Sequence, residues 1–286
     1  MKLLGVVCIV LSSSLSSFVV AETPVKPMVD ATAADIKEMV KTSVFDHSSW
    51  DQLLTSNIVT AGASTQVNYA GMDKQSALLK QYLDSLSNVK KADFDNWAKP
   101  DQLAFLLNAY NAWTVKLILS DYKNIESIKD LGSVFQSPWK KSFIPLFGDE
   151  VSLDHIEHTL IRGSDRYNDP RIHFAANCAS IGCPALRNEA YDGSKIDKQL
   201  EEQAELFLSD STRNFVKGDR VNLSSIFKWY RGDFEAGWRD AYELSEFLLL
   251  YADALSLTPA QVEALEADDM SIKFLDYDWN LNIIKP

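Results

Sequence analysis

Apolar residues recur at helical spacing over Ala33 to Phe45 and again over Asp73 to Leu86, which predicts two amphipathic helices. Ser48-Ser49-Trp50-Asp51 has the order of a capping box opening another short helix. Gln66 to Tyr69 alternates like a strand. The strongest element starts at Pro100 and runs to about Ser120. Leu103, Phe105, Leu106, Leu107, Tyr110, Trp113, Val115, Leu117, Ile118 and Leu119 surround it, with Lys116 its one interior charge. A helix without a polar face belongs inside a domain.

Downstream, Phe143 to Phe147 and Glu150 to Leu153 flank Gly148-Asp149 and predict a hairpin. Ser152 is placed to cap a following helix whose apolar stripe is Leu153, Ile156, Leu160 and Ile161. Arg171 to Ala176 reads as a buried strand, with Arg171, His173 and Ala175 on one face. Helical spacing returns from Ser194-Lys195-Ile196-Asp197 to about Ser209. A second hairpin is expected around Gly218-Asp219, short helices at Ser225 to Tyr230 and after Thr258-Pro259-Ala260-Gln261, and a closing strand at Ile272 to Leu275. The whole reads as a mainly helical α+β single domain, a buried central helix packed on a small antiparallel sheet.

The first residues change the picture of where the chain works. Lys2, the apolar run Leu3 to Val10 and Val19-Val20-Ala21 have the form of a secretory signal over residues 1–21. Glu22 to Asp30, with Pro24 and Pro27, reads as a flexible lead, so residues 22–48 are expected to hold that lead and an N-terminal helix, and 49–286 the domain. No later segment is apolar enough to span a membrane, so an exported protein, periplasmic or secreted, is expected. A net charge of -12 argues against a groove for nucleic acid.

Chemistry concentrates in Asp169 to Pro184, which holds His173, Asn177, Cys178 and Cys183. The C-x4-C spacing admits a Cys178–Cys183 disulfide; equally it admits a reactive Cys178 thiolate with His173 or His158 as base. Glu157 falls within an apolar stripe, so it holds a buried partner, Arg171 being a candidate, or serves chemistry. Asn108 and Asn111 on the buried helix must be hydrogen-bonded, either to a neighbouring loop or to a ligand or catalytic group. Asn111 joins the catalytic candidates, while Asn108, Asn177 and Arg171 form the candidate binding set, for a small molecule or peptide not otherwise specified. His155 and His158 lack the companions of a metal signature, and neither a metal nor a cofactor is expected.

Five motifs taken in order resemble the DUF547 family, named for its unknown function. They are Leu107-Asn108-Ala109-Tyr110-Asn111-Ala112, Ile156-Glu157-His158, His173 to Cys178 with Cys183-Pro184, Ile226 to Tyr230 with Asp233-Phe234, and Tyr277 to Asn282. The resemblance runs from about Trp50 to the C-terminus and implies a domain and a site, without a reaction. A weaker likeness is to papain-like and transglutaminase-like cysteine hydrolases, whose nucleophile opens the central helix. Here that helix carries Asn108 and Asn111 and no cysteine. The sequence thus supports two functions: a thiol-dependent hydrolase or transferase acting on an amide or ester, oriented by Glu157 or Asn111, and a non-catalytic envelope binding domain clipped by Cys178–Cys183.

Overall fold

The computed structural model describes residues 44–284, which lie within the unit Thr42–Pro286. The expected signal segment, and the expected N-terminal helix except Val44 and Phe45, fall outside the described residues. Helix α1 is Ser48–Asn57. Its first turn is held by Asp46, whose Oδ1 accepts the Ser48 N–H at 2.9 Å, rather than by the expected box of Ser48 and Asp51. Strands β1 (Ile58–Ala61) and β2 (Ser64–Val67) form a hairpin through Gly62, whose φ of +64 suits glycine. Asn68 then accepts the Gly71 N–H and starts α2 (Tyr69–Lys74), which ends the strand earlier than alternation suggests. Helices α3 (Ser76–Ser87) and α4 (Lys91–Asp95) follow.

Helix α5, Lys99–Leu119, is the buried helix marked by the sequence. Pro100 sits in its first turn, and every residue from Asp101 to Val115 is buried. It packs on α3, on a π-helical segment at His155–Ile161 and on α6 (Ile196–Leu208). The next hairpin pairs β3 (Ile144–Leu146) with β4 (Asp149–Val151). Its two turn residues are Phe147 and Gly148, both at positive φ (57° and 94°), one position earlier than Gly148-Asp149. Ser152 Oγ accepts the His155 N–H at 3.1 Å and begins the π-helix.

The expected strand at Arg171 to Ala176 is instead a 3-10 helix, Pro170–Phe174. Pro170 occupies its first turn and the Asp169 carboxylate accepts the Arg171 N–H at 3.0 Å, so a helix start overrides the alternation. Beyond α6, β5 (Phe215–Lys217) pairs antiparallel with β6 (Arg220–Leu223). Four short helices follow: α7 (Ile226–Trp229), α8 (Arg231–Phe234), α9 (Leu244–Leu249) and α10 (Pro259–Glu266), the last opened by a capping box of Thr258 and Gln261. Strand β7 (Ser271–Phe274) joins β6 in parallel. The chain is therefore α+β and mainly helical, the strands among the described residues spread over three small sheets.

The core has two apolar clusters. One surrounds α5 with Trp50, Tyr82, Phe94 and Phe105; the other gathers Phe174, Phe207, Phe227, Phe234 and Phe247. After β7 the chain runs back beside residues 178–183. Ile181 N–H bonds Asn280 O and Gly182 N–H bonds Asp278 O, both at 2.8 Å, and Asn282 N–H bonds Ala179 O at 3.1 Å. Gly182 has no room for a side chain: a Cβ there would lie 2.9 Å from Asp278 O. Val67 N–H meanwhile donates to Asn282 O, tying the same segment to β2.

Candidate functional site

Asn111 and Asn108 satisfy their amides on backbone. Asn111 Nδ2 donates to Ala175 O at 3.0 Å while its Oδ1 accepts the Asn177 N–H at 2.8 Å. It thereby fixes the chain on either side of Ala176, just before Cys178. Asn108 makes the same pair of bonds to Tyr191, at 2.8 and 2.9 Å. Asn177 continues the bracing: Nδ2 donates to Pro184 O, and Oδ1 accepts the Ala179 N–H at 2.9 Å. That bond supports Ala179 at a φ of 62°, a left-handed conformation costing a non-glycine residue about 1–2 kcal/mol.

Cys178 and Cys183 are joined in a disulfide. The Arg213 guanidinium donates to the carbonyls of Gly182 and Cys183 and is itself paired with Asp210. The two sulfurs have different surroundings. Cys183 is buried, and its Sγ accepts the Cys178 N–H at 2.8 Å. Cys178 is half-buried, its Sγ lies 3.1 Å from both the Ser180 and Tyr277 hydroxyl oxygens, and Ser180 Oγ donates to Tyr277 Oη at 3.2 Å.

The disulfide forms part of the wall of a cavity of about 160 Å³, to which Glu157, His158 and His173 also contribute. The cavity draws Tyr110 from the α5 cluster and Ile226 and Tyr230 from the second, so it lies where the two clusters meet. His173 is 5 % exposed and its Nε2 lies 2.8 Å from Asp233 Oδ2. Its ring stacks on Tyr230 with centroids 3.8 Å apart. Burial lowers the His173 pKa in spite of Asp233, so the ring is neutral near pH 7. Burial opposes charge on Asp233 as well, but the bonds from His173 and Arg162 outweigh it and hold that carboxyl well below the usual range. Arg162 grips Asp233 with Nε and Nη2, at 2.6 and 2.9 Å, and reaches His158 Nδ1 with Nη1 at 2.8 Å.

Glu157, 7 % exposed, takes the Tyr230 hydroxyl on Oε1 at 2.7 Å. Tyr110 also hydrogen-bonds this carboxylate; burial first and Glu157 second raise the pKa of both phenols, so both hydroxyls remain donors. Arg171 is not the partner of Glu157. It lies buried among Asp169, Asp197 and Glu201, away from the cavity wall. Asn108 also lies off that wall, and Asn111 acts from behind it. Among the described residues no group of three His, Cys, Asp or Glu side chains is arranged to hold a metal ion, and no helix is long and apolar enough to cross a membrane.

Residues 94–208 match the family model described as a protein of unknown function, DUF547. Over this span, about two fifths of the chain, the protein is similar to the DUF547 family. No curated protein and no solved structure matches it, so the likeness to papain-like and transglutaminase-like hydrolases has no support from either comparison.

The DUF547 span supplies Glu157, His158, His173 and both cysteines, whereas Trp229, Tyr230, Asp233, Tyr277 and Trp279 come from beyond it. Sequence reasoning did not assign Asp233, Arg162 or Tyr277 to the site. The available signal was aromatic density: Trp229-Tyr230 and Tyr277-Asp278-Trp279 place large rings side by side in polar stretches.

Proposed function

We propose that the cavity is an acyl-transfer site acting on an amide or ester, with Cys178 as nucleophile, latent while Cys178 is bonded to Cys183. A dithiol reductant opens the bond, leaving two protein thiols and its own disulfide. Cys178 then attacks the carbonyl carbon and His173 takes the thiol proton. The tetrahedral intermediate expels the amine or alcohol, which receives that proton from His173, and leaves a thioester on Cys178. Water, or an acceptor amine or alcohol, resolves the thioester. Asp233 orients the imidazole through Nε2 and stabilises the imidazolium when it forms.

One observation carries this reading: the linked Ser180 and Tyr277 hydroxyls lie 3.1 Å from Cys178 Sγ, with Tyr277 left free to donate to it, whereas Cys183 Sγ is met by a backbone N–H. Donors so placed stabilise a thiolate and lower the pKa of its thiol below the free value of about 8.5. The test is alkylation of the purified protein by iodoacetamide near pH 7, with and without dithiothreitol. Without reductant no thiol is expected to label. With it, Cys178 should label at least fivefold faster than Cys183, and Tyr277→Phe should reduce that preference. Equal, slow labelling of both thiols overturns the reading.

A second reading has its own observation. Arg213, Asn177 and the C-terminal segment all brace the loop in its bonded shape, which favours a binding domain with the disulfide as a clip. Equal loss of stability in Cys178→Ser and Cys183→Ser, with no activated thiol in the reduced protein, would decide for it. We further infer export, on the signal-like residues 1–21 and on a disulfide that suits an oxidising compartment.

A further inference from the structure

The cavity wall carries a chemistry that the thiol reading does not use. Trp229 is 47 % exposed, although an indole is normally well covered. It stacks on Trp279 with centroids 5.6 Å apart, and Tyr277 lies 4.8 Å from the first ring and 4.5 Å from the second. Trp139 meets Trp279 edge-on at 5.8 Å. Three indoles and a phenol therefore form a continuous part of the wall. Asp154, just before the π-helical segment, and Glu157 within it add two carboxylates, and among the described residues no lysine or arginine lines the cavity. The Arg162 guanidinium is already committed to Asp233 and His158. Burial chiefly, with a contribution from the Glu157 charge, raises the Asp154 pKa, against the opposing pull of His158 and Lys140. Trp279 has already attracted one ammonium, Lys129 Nζ, 3.5 Å from its ring centre.

We propose that this cavity binds an alkylammonium group, with the indole and phenol rings facing the cation and Asp154 and Glu157 balancing its charge. Aromatic faces hold quaternary ammonium through the ring quadrupole, and the attraction grows as water is excluded. The size agrees, since a space of about 150 Å³ accommodates a molecule as large as benzene, and a trimethylammonium group is smaller. Aromatic walls also stack on sugars. Two carboxylates on a wall that, among the described residues, no lysine or arginine lines select the cation. This binding needs no free thiol, so it stands or falls separately from the acyl-transfer reading.

The experiment uses the protein with its disulfide intact. Choline, its neutral isostere 3,3-dimethylbutan-1-ol and methyl β-glucoside are each titrated, read by tryptophan fluorescence and calorimetry. Choline should bind saturably and at least tenfold more tightly than the isostere. Trp229→Ala and Asp154→Asn should each weaken it at least fivefold without shifting the melting temperature. Equal affinity for choline and the isostere, tighter binding of the glucoside, or no saturable choline signal would each overturn the proposal. The wild-type comparison decides it even where a variant fails to fold.

Discussion

Glu157 shows how much one side chain discloses and withholds. Its place in an apolar stripe marked it as anomalous, yet its partner Tyr230 lies 73 residues further on, and Asp233 lies 60 residues beyond the His173 it binds. No local spacing links residues so far apart. The identity of the partners also changes the expected energetics. A carboxylate paired with a buried arginine would leave that cation stranded on conversion to Gln, a loss of roughly 3–5 kcal/mol. Tyrosine hydroxyls still find an acceptor in the Gln carbonyl oxygen. Glu157→Gln should therefore destabilise by only about 1 kcal/mol in urea unfolding, while choline affinity falls. A loss of 3 kcal/mol or more would point to a buried cation instead.

Among elements, those that periodicity describes best were legible. Helix α5 begins and ends within a residue or so of its expected bounds because its burial is complete and Pro100 marks its start. Pro170–Phe174 was not legible as a helix, since five residues show alternation as easily as a helical turn, and only the Asp169-Pro170 start signal separates the two. The two asparagines of α5 give a matched test. Each holds one backbone carbonyl and one N–H, both buried. Asn108→Ala and Asn111→Ala should each cost roughly 2–4 kcal/mol, as two polar groups lose their partner. Only Asn111 holds the chain leading into Cys178, so only Asn111→Ala should also slow iodoacetamide labelling of Cys178 in the reduced protein. Equal slowing in both variants would reduce Asn111 to a purely structural residue.

Across the whole molecule, protonation sets an acid limit that composition does not reveal. His47 is buried with its Nδ1 2.8 Å from the Tyr82 hydroxyl, and burial holds its pKa down to about 4. His173 is lowered in the same direction. The unfolded chain takes up protons at these rings near pH 6.5 while the folded chain resists. Stability is thus complete above about pH 6.5 and falls as the pH drops toward 4, by roughly 3 kcal/mol from His47 alone. Carboxylates such as Asp233 add their own loss only below their unfolded pKa near 4. Unfolding followed by urea from pH 7 to pH 4.5 should show this slope, and His47→Gln should flatten it. A flat profile in the wild type would refute the buried neutral rings. The α+β class and the ring of motifs were readable from the sequence. The meeting of two clusters at one cavity was not, because it arises from long-range contacts such as those of Tyr110 and Tyr230 with Glu157 that no segment carries by itself.

The return of the C-terminal segment to the cysteine loop sets an order of events during synthesis. Cys178 and Cys183 leave the ribosome almost together, roughly 100 residues before Leu281 and Asn282, whose backbones bracket that loop. At ordinary translation rates this gap lasts about 5–20 s. During that interval the two cysteines can meet an oxidant before Tyr277 and Trp279 exist as neighbours. A nascent chain can thus settle its sulfur chemistry while its aromatic wall is still being made, and a chain cut before Tyr277 keeps the loop without the segment laid across it.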